Sequence, residues 1–241
     1  MMTLYDDVIK SWQGLFDSCH VSDLERKAGW RDGGKANMIL RSDAAYELGG
    51  ADSHTYAIGA SVMTEDESLV TADGISLIGP DLSDIDGDCS YARLAVVLVD
   101  GDQMGEGDAL YNSIRDIGYA RYHVEPEGFM MRVSSSNRRE SVRVSRDAVA
   151  RGISFSHVGD MMISAFHERR HVRAVHLYFI TDPTFDFKAL SESIKRADDI
   201  TKTIDHIFKD MQMDCNACNL KQVCDEVEGL RELHFGVSSK E

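Results

Sequence analysis

The chain has few cysteines and prolines, no long apolar run, and far fewer basic than acidic residues. Among its 241 residues are five cysteines and three prolines, and 26 Lys and Arg stand against 41 Asp and Glu, for a net charge of −15. A surface of this charge repels a phosphate backbone, so nucleic acid is excluded as a general ligand. No run of about 18 apolar residues is present, which excludes a membrane helix.

The N-terminus indicates the compartment. It reads MMTLYDDVIK and carries acidic residues where a secretory signal would carry basic ones. We therefore expect a cytoplasmic protein. The cysteines agree with a reducing compartment, because Cys19 and Cys89 are isolated and the other three lie within ten residues. An odd, bunched set of thiols indicates metal or redox chemistry rather than a disulfide framework.

Apolar periodicity predicts an α+β fold, with a mixed sheet flanked by helices and a small C-terminal metal or iron-sulfur subdomain. The run RLAVVLVDGD at 93–102 predicts a central strand covered on both faces, and four short apolar runs before it predict a meander of strands. Another short strand is predicted at 121–124, and a long helix over 187–212. We predict three parts: an N-terminal helical extension at 1–36, an α+β domain at 37–212 and a cysteine-rich tail at 213–241.

The tail carries the spacing Cys215-x2-Cys218-x5-Cys224-x9-His234. Two residues between cysteines allow one turn of backbone to present two thiolates to one ion or cluster, which is typical of both zinc and iron-sulfur sites. The imidazole of His234 can complete a Cys3His set. Spacing alone leaves a [4Fe-4S] cluster and zinc both open.

Five segments follow one another along the chain: AAYELGG, ISLIGPDLSDI, RLAVVLVDG, VRVSRDAVARGISFSHVGDMM and VRAVHLYFITD. In this order and spacing they resemble the middle domain of the acetyl-CoA synthase β subunit of the carbon monoxide dehydrogenase/acetyl-CoA synthase complex. The resemblance extends over about residues 37–236. It implies the same α+β fold and a role in anaerobic C1 or acetyl-CoA metabolism.

The resemblance also bears on the metal site. In the family, four cysteines after the long helix begin a site that joins a [4Fe-4S] cluster to two nickel ions. By position, Cys215, Cys218 and Cys224 match cluster ligands, and His234 stands where the fourth cysteine belongs. The family's Cys-Gly-Cys pair for nickel is missing from the sequence, so we expect no nickel and not a complete synthase. We expect an accessory, scaffold or electron-transfer protein, whose partners would be a corrinoid protein, a methyltransferase or dehydrogenase subunits.

The region 130–173 differs in charge from the rest of the chain, since it contains nine arginines and four acidic residues. A polyphosphate ligand requires such a patch, and the resemblance implies coenzyme A (CoA), with Arg138, Arg139 and Arg143 as candidate contacts. Met130 stands where the family has an aromatic residue. Two alternatives remain, a zinc-stapled binding module without catalysis and a CoA-binding acyltransferase component.

Overall fold

Eight β-strands form two sheets in the computed structural model, which describes residues 3–50, 55–134, 139–208, 220–227 and 230. They are β1 Ser22–Leu24, β2 Ala44–Leu48, β3 Ala57–Thr64, β4 Gly74–Ile78, β5 Tyr91–Val99, β6 Phe129–Ser134, β7 Arg139–Ser145 and β8 Val172–Ile180. One sheet has the order β1-β4-β8-β5-β3, and the other is antiparallel with the order β2-β7-β6. In the larger sheet β3–β5 and β4–β8 are parallel pairs, whereas β5–β8 is antiparallel, so the predicted mixed sheet is confirmed.

Helices flank the larger sheet. They are α1 Asp6–Phe16, α2 Gly101–Met104, α3 Asp108–Tyr119, α4 Arg146–Ala150, α5 Phe155–His167, α6 Phe187–Phe208 and α7 Lys221–Glu226. Helix α5 packs on β4 and β8, while α1 packs against α6 and β3. The apolar side of α1 is buried through Val8, Ile9 and Trp12, and the Tyr5 and Thr201 hydroxyls lie 3.0 Å apart. No helix in the described ranges is long and apolar enough to cross a bilayer.

The strand predicted at 93–102 is β5, an internal strand in which every residue is buried. Burial on both faces requires a nearly continuous apolar run, which is what the sequence carries there. The prediction of a meander before it was wrong. β2 belongs to the smaller sheet, and β3 and β4 pair with β5 and β8 rather than with each other. Residues 120–123 form a 3-10 turn instead of the predicted strand.

A fully buried ion pair joins the two sheets. Arg93 of β5 donates from Nε and Nη2 to the two carboxylate oxygens of Glu140 in β7, at 2.7 and 2.9 Å, and both side chains are fully buried. Arg121 lies on the same carboxylate, with its Nε 3.4 Å from Oε2. β3 leaves room at Gly59, where a Cβ would come 2.2 Å from Glu140 Oε2. The bidentate pairing therefore fixes how β7 lies across β3 and β5.

Glu140→Gln keeps the side-chain shape but removes the charge, so Arg93 is left as a buried cation without its counterion. We expect a loss of about 3–5 kcal/mol in the free energy of unfolding, measured by urea titration. Glu67→Gln is the matched control, because Glu67 pairs with Arg173 on the surface and should change stability by about 1 kcal/mol or less. Equal effects of the two substitutions would contradict the structural role of Glu140.

Candidate functional site

Three arginines surround the carboxylate of Glu47 on the smaller sheet. Arg143 Nε lies 3.3 Å from Glu47 Oε1, Arg132 Nη2 donates to the same oxygen, and Arg41 Nη1 lies 3.4 Å from Oε2. The Glu47 carboxylate is nearly buried, while the Arg41 side chain is 78% exposed. These four residues are called the Glu47 cluster below.

Strand register explains why the cluster forms. Glu47 in β2 lies directly opposite Arg143 in β7, and Arg143 lies opposite Met130 in β6. Arg132 is two residues beyond Met130, so its side chain is on the same face, because side chains alternate along a strand. Arg143 Nη1 also donates to the Ile39 carbonyl at 3.3 Å, which anchors the segment before β2 over this face.

The electrostatics of the cluster favour an anion. Burial by itself would raise the pKa of Glu47, but the charges and hydrogen bonds of Arg132 and Arg143 outweigh it, and the net effect lowers the pKa. Glu47 therefore stays ionised and holds the guanidinium groups in place. One carboxylate balances only one of three positive charges, so the cluster keeps an excess of two. Fixed guanidinium groups with spare N–H donors are the usual partners of phosphate.

The three arginines predicted to bind CoA do not share one environment. Arg143 belongs to the Glu47 cluster, whereas Arg139 lies at the other end of β7, donates to the Gly49 and Gly50 carbonyls, and lines a cavity beside α6. Arg138 lies outside the described residues. Sequence reasoning missed Glu47, Arg41 and Arg132 as a group, although a glutamate inside the apolar strand AAYEL was a usable signal.

Of the four predicted metal ligands, the structure describes only Cys224. Cys215, Cys218 and His234 lie outside the described residues. Cys224 is on α7, is half-buried, and packs against the hydrophobic core. Arg196 of α6 forms an ion pair with Glu226 of α7, in which the nitrogen and oxygen atoms are 3.1 Å apart. Within the described ranges no three His, Cys, Asp or Glu side chains come together as a metal group, so the predicted metal subdomain remains a prediction.

The two isolated cysteines are placed by the fold. Cys19 donates its Sγ proton to the Leu15 carbonyl at 3.4 Å. Burial, with a smaller contribution from the charge of Asp88, raises the pKa of Cys89 to about 11. At neutral pH Cys89 is therefore a thiol rather than the thiolate that binds metals.

The chain matches the model of a known protein family. The model of the CdhC family, the CO dehydrogenase/acetyl-CoA synthase complex beta subunit, matches residues 34–185. The chain belongs to this family. No curated protein matches the chain. The beta-subunit family match contains all four residues of the Glu47 cluster and Arg139, and it ends before α6 and the cysteine-rich tail. The predicted resemblance is thus confirmed over the middle portion of the chain.

The raised pKa of Cys89 predicts selective protection from alkylation. In native protein at pH 8, iodoacetamide should leave Cys89 unmodified, because almost none of it is thiolate, and its labelling should rise steeply only as pH approaches 11. In urea the same residue should react at the ordinary rate of a free cysteine. Peptide mass spectrometry measures both. Rapid native labelling at pH 8 would contradict the burial of this thiol.

Proposed function

We propose that this protein is a CoA-binding, iron-sulfur relative of the acetyl-CoA synthase β subunit, active in anaerobic C1 or acetyl-CoA metabolism. The observation that carries the proposal is the Glu47 cluster, because it lies inside the region that matches the beta-subunit family. CoA brings a diphosphate and a 3′-phosphate. An excess of two positive charges on a chain of net charge −15 gives these groups a place to bind.

The position of the cluster suits a phosphate contact. Arg41 and Arg132 reach the surface, with 78% and 36% of their side chains exposed, while Arg143 is 20% exposed and fixed by Glu47 and Ile39. A ligand phosphate at the surface would meet donors whose orientation is already set, which reduces the entropy lost on binding. Met130, opposite Arg143, stands where the resemblance would place an aromatic ring, and its thioether sulfur accepts a hydrogen bond from the Ile39 amide at 3.4 Å.

We further propose that Cys215, Cys218, Cys224 and His234 hold a [4Fe-4S] cluster. Such a cluster would supply one-electron transfer when bound. The thiol of Cys224 fits this role as far as the structure describes it, since it is half-buried on a helix anchored to α6. A Cys3His set is also a closed structural zinc site, so a zinc-stapled tail without redox activity is the second candidate.

The proposed role is accessory, scaffold or electron transfer within a complex. These 241 residues contain no Cys-Gly-Cys pair for nickel. Partners that fit the proposal are dehydrogenase subunits, a methyltransferase or a corrinoid protein.

CoA binding is tested by two substitutions with opposite effects on charge. Arg143→Gln removes a positive charge and should weaken CoA binding about ten- to a hundredfold, the loss typical of one hydrogen bond to a charged group. Glu47→Gln makes the site more positive, yet we expect it to weaken binding as well, because the guanidinium groups lose the carboxylate that orients them. Isothermal titration with CoA measures both.

Arg173→Gln provides the matched control, since Arg173 lies on β8 and pairs with Glu67 on the surface. It changes the net charge as Arg143→Gln does and should leave CoA affinity nearly unchanged. Thermal unfolding of each variant checks that the fold is intact. Tighter CoA binding by Glu47→Gln, or equal losses in the Arg143 and Arg173 variants, would show that only the overall charge attracts CoA.

The metal proposal is tested by anaerobic purification and analysis of iron, sulfide and zinc. We expect about four irons and four sulfides per chain with a visible absorption band, and their loss in Cys224→Ser. Cys19→Ser should retain the full content, because Cys19 is outside the proposed set. His234→Cys should hold the cluster more tightly at mildly acidic pH, since imidazole must be neutral to bind. Stoichiometric zinc without iron would select the zinc-stapled module.

A further inference from the structure

A second candidate site is a cavity of about 580 Å³ between the first half of α6 and the adjoining ends of β3 and β7, here named the α6 cavity. Cavities of this size accommodate small organic molecules. Its lining combines charged groups of both signs with an aromatic ring. The residues used below are Tyr56, Arg139, Lys188, Glu192, Lys195 and Asp198.

Positive charge dominates the α6 cavity by one. Lys188 and Lys195 are exposed, and neither takes part in an ion pair with another residue in the described ranges. They are seven residues apart on one face of α6, which places them about 10 Å apart along the helix. Arg139 contributes a third cation from β7, against the two carboxylates of Glu192 and Asp198. Two ammonium groups that form no ion pair within the described part of the chain are suited to an anionic ligand.

An aromatic ring lines the same cavity. Tyr56 remains 38% exposed, and its ring stacks on Phe187 with centroids 5.7 Å apart and planes 10° apart. Phe187 is 4% exposed, so the Tyr56 ring is held in a fixed plane by a buried neighbour. A fixed, partly exposed aromatic ring is a stacking surface for a planar ligand, since little entropy is lost in ordering it.

We propose that the α6 cavity binds a nucleoside phosphate, with the base stacked at Tyr56 and the phosphates at Lys188 and Lys195. The combination of an aromatic plane with two lysines on one face of α6 is what distinguishes this ligand from a simple anion. The site is separate from the Glu47 cluster, because it uses α6 and β3, and it does not depend on the CoA proposal.

The base contact is tested with ADP by isothermal titration. Tyr56→Phe keeps the ring and should bind ADP as the wild type does, whereas Tyr56→Ala should bind about tenfold more weakly or worse, as base stacking on an aromatic side chain predicts. Inorganic diphosphate lacks a base, so the Tyr56→Ala substitution should not change its binding. Equal ADP affinity for the Phe and Ala variants would overturn the proposal.

The phosphate contacts are tested on α6. Lys188→Gln and Lys195→Gln should each weaken ADP binding severalfold, and Glu192→Gln should tighten it, because a carboxylate between the two lysines repels phosphate. Lys202→Gln is the matched control, since Lys202 lies seven residues after Lys195 on the same helix but pairs with Asp199 and is outside the cavity lining. Equal losses at positions 195 and 202 would overturn the assignment of the phosphates.

The nucleotide could be free or the nucleotide half of CoA, and competition separates these sources. If CoA displaces ADP and its affinity falls in Tyr56→Ala, the α6 cavity takes the nucleotide half of CoA. If ADP binds without competition from CoA, the ligand is a free nucleotide. If CoA binding is lost only in the Arg143→Gln variant and ADP binding stays intact, CoA and ADP bind at different sites, and both proposals are supported. If neither ADP, CoA nor 3′,5′-ADP binds in the α6 cavity, the proposal for this cavity is overturned. The proposal for the Glu47 cluster would stand, because it is tested separately by the Arg143→Gln and Glu47→Gln variants.

Discussion

The buried ion pair between Arg93 and Glu140 is the constraint on which the arrangement of the two sheets depends. Both side chains are completely removed from solvent, so neither charge has water as an alternative partner. Removal of either partner while the other stays buried would leave an uncompensated ion in an apolar environment, at a cost of several kcal/mol. The close approach of Glu140 to Gly59 adds a steric requirement, because any side chain at position 59 would displace the carboxylate. Position and orientation of β7 are therefore fixed together.

This constraint on β7 determines where the candidate sites lie. Side chains alternate along a strand, so the residue that faces inward at position 140 leaves residues 139 and 143 to the outer face. Arg143 then meets Glu47 across the β2–β7 ladder, and Arg139 reaches the α6 cavity. The arginine-rich segment thus divides into an inward acid that joins the sheets and outward bases that lie at the two candidate sites. A change at Glu140 should for this reason disturb both sites, although it contacts neither.

Much of the fold could be predicted from the sequence, because it rests on apolar patterns. β5 is a continuous apolar run and was predicted as a central strand, and the amphipathic pattern of α6 predicted the long helix, of which Phe187–Phe208 is described. Strand pairing was not predictable in the same way. The meander prediction was wrong because parallel pairing of β3 with β5 and of β4 with β8 depends on contacts between distant segments.

The same limit applies to the Glu47 cluster, whose members come from four segments between residues 41 and 143 and have no common spacing. The four metal ligands could be proposed from the sequence because they all lie within one short segment.

Helix α6 borders the α6 cavity and also contacts α7, which carries Cys224. Lys195 and Asp198 line the cavity, and Arg196, which follows Lys195, pairs with Glu226 on the helix that carries Cys224. Successive residues of a helix point about 100° apart, so the cavity and α7 lie on neighbouring faces of the same part of α6. Displacement of Arg196 would loosen α7 and with it the position of the Cys224 thiol. The proposed cavity site and the helix that carries Cys224 therefore rest on the same segment of α6.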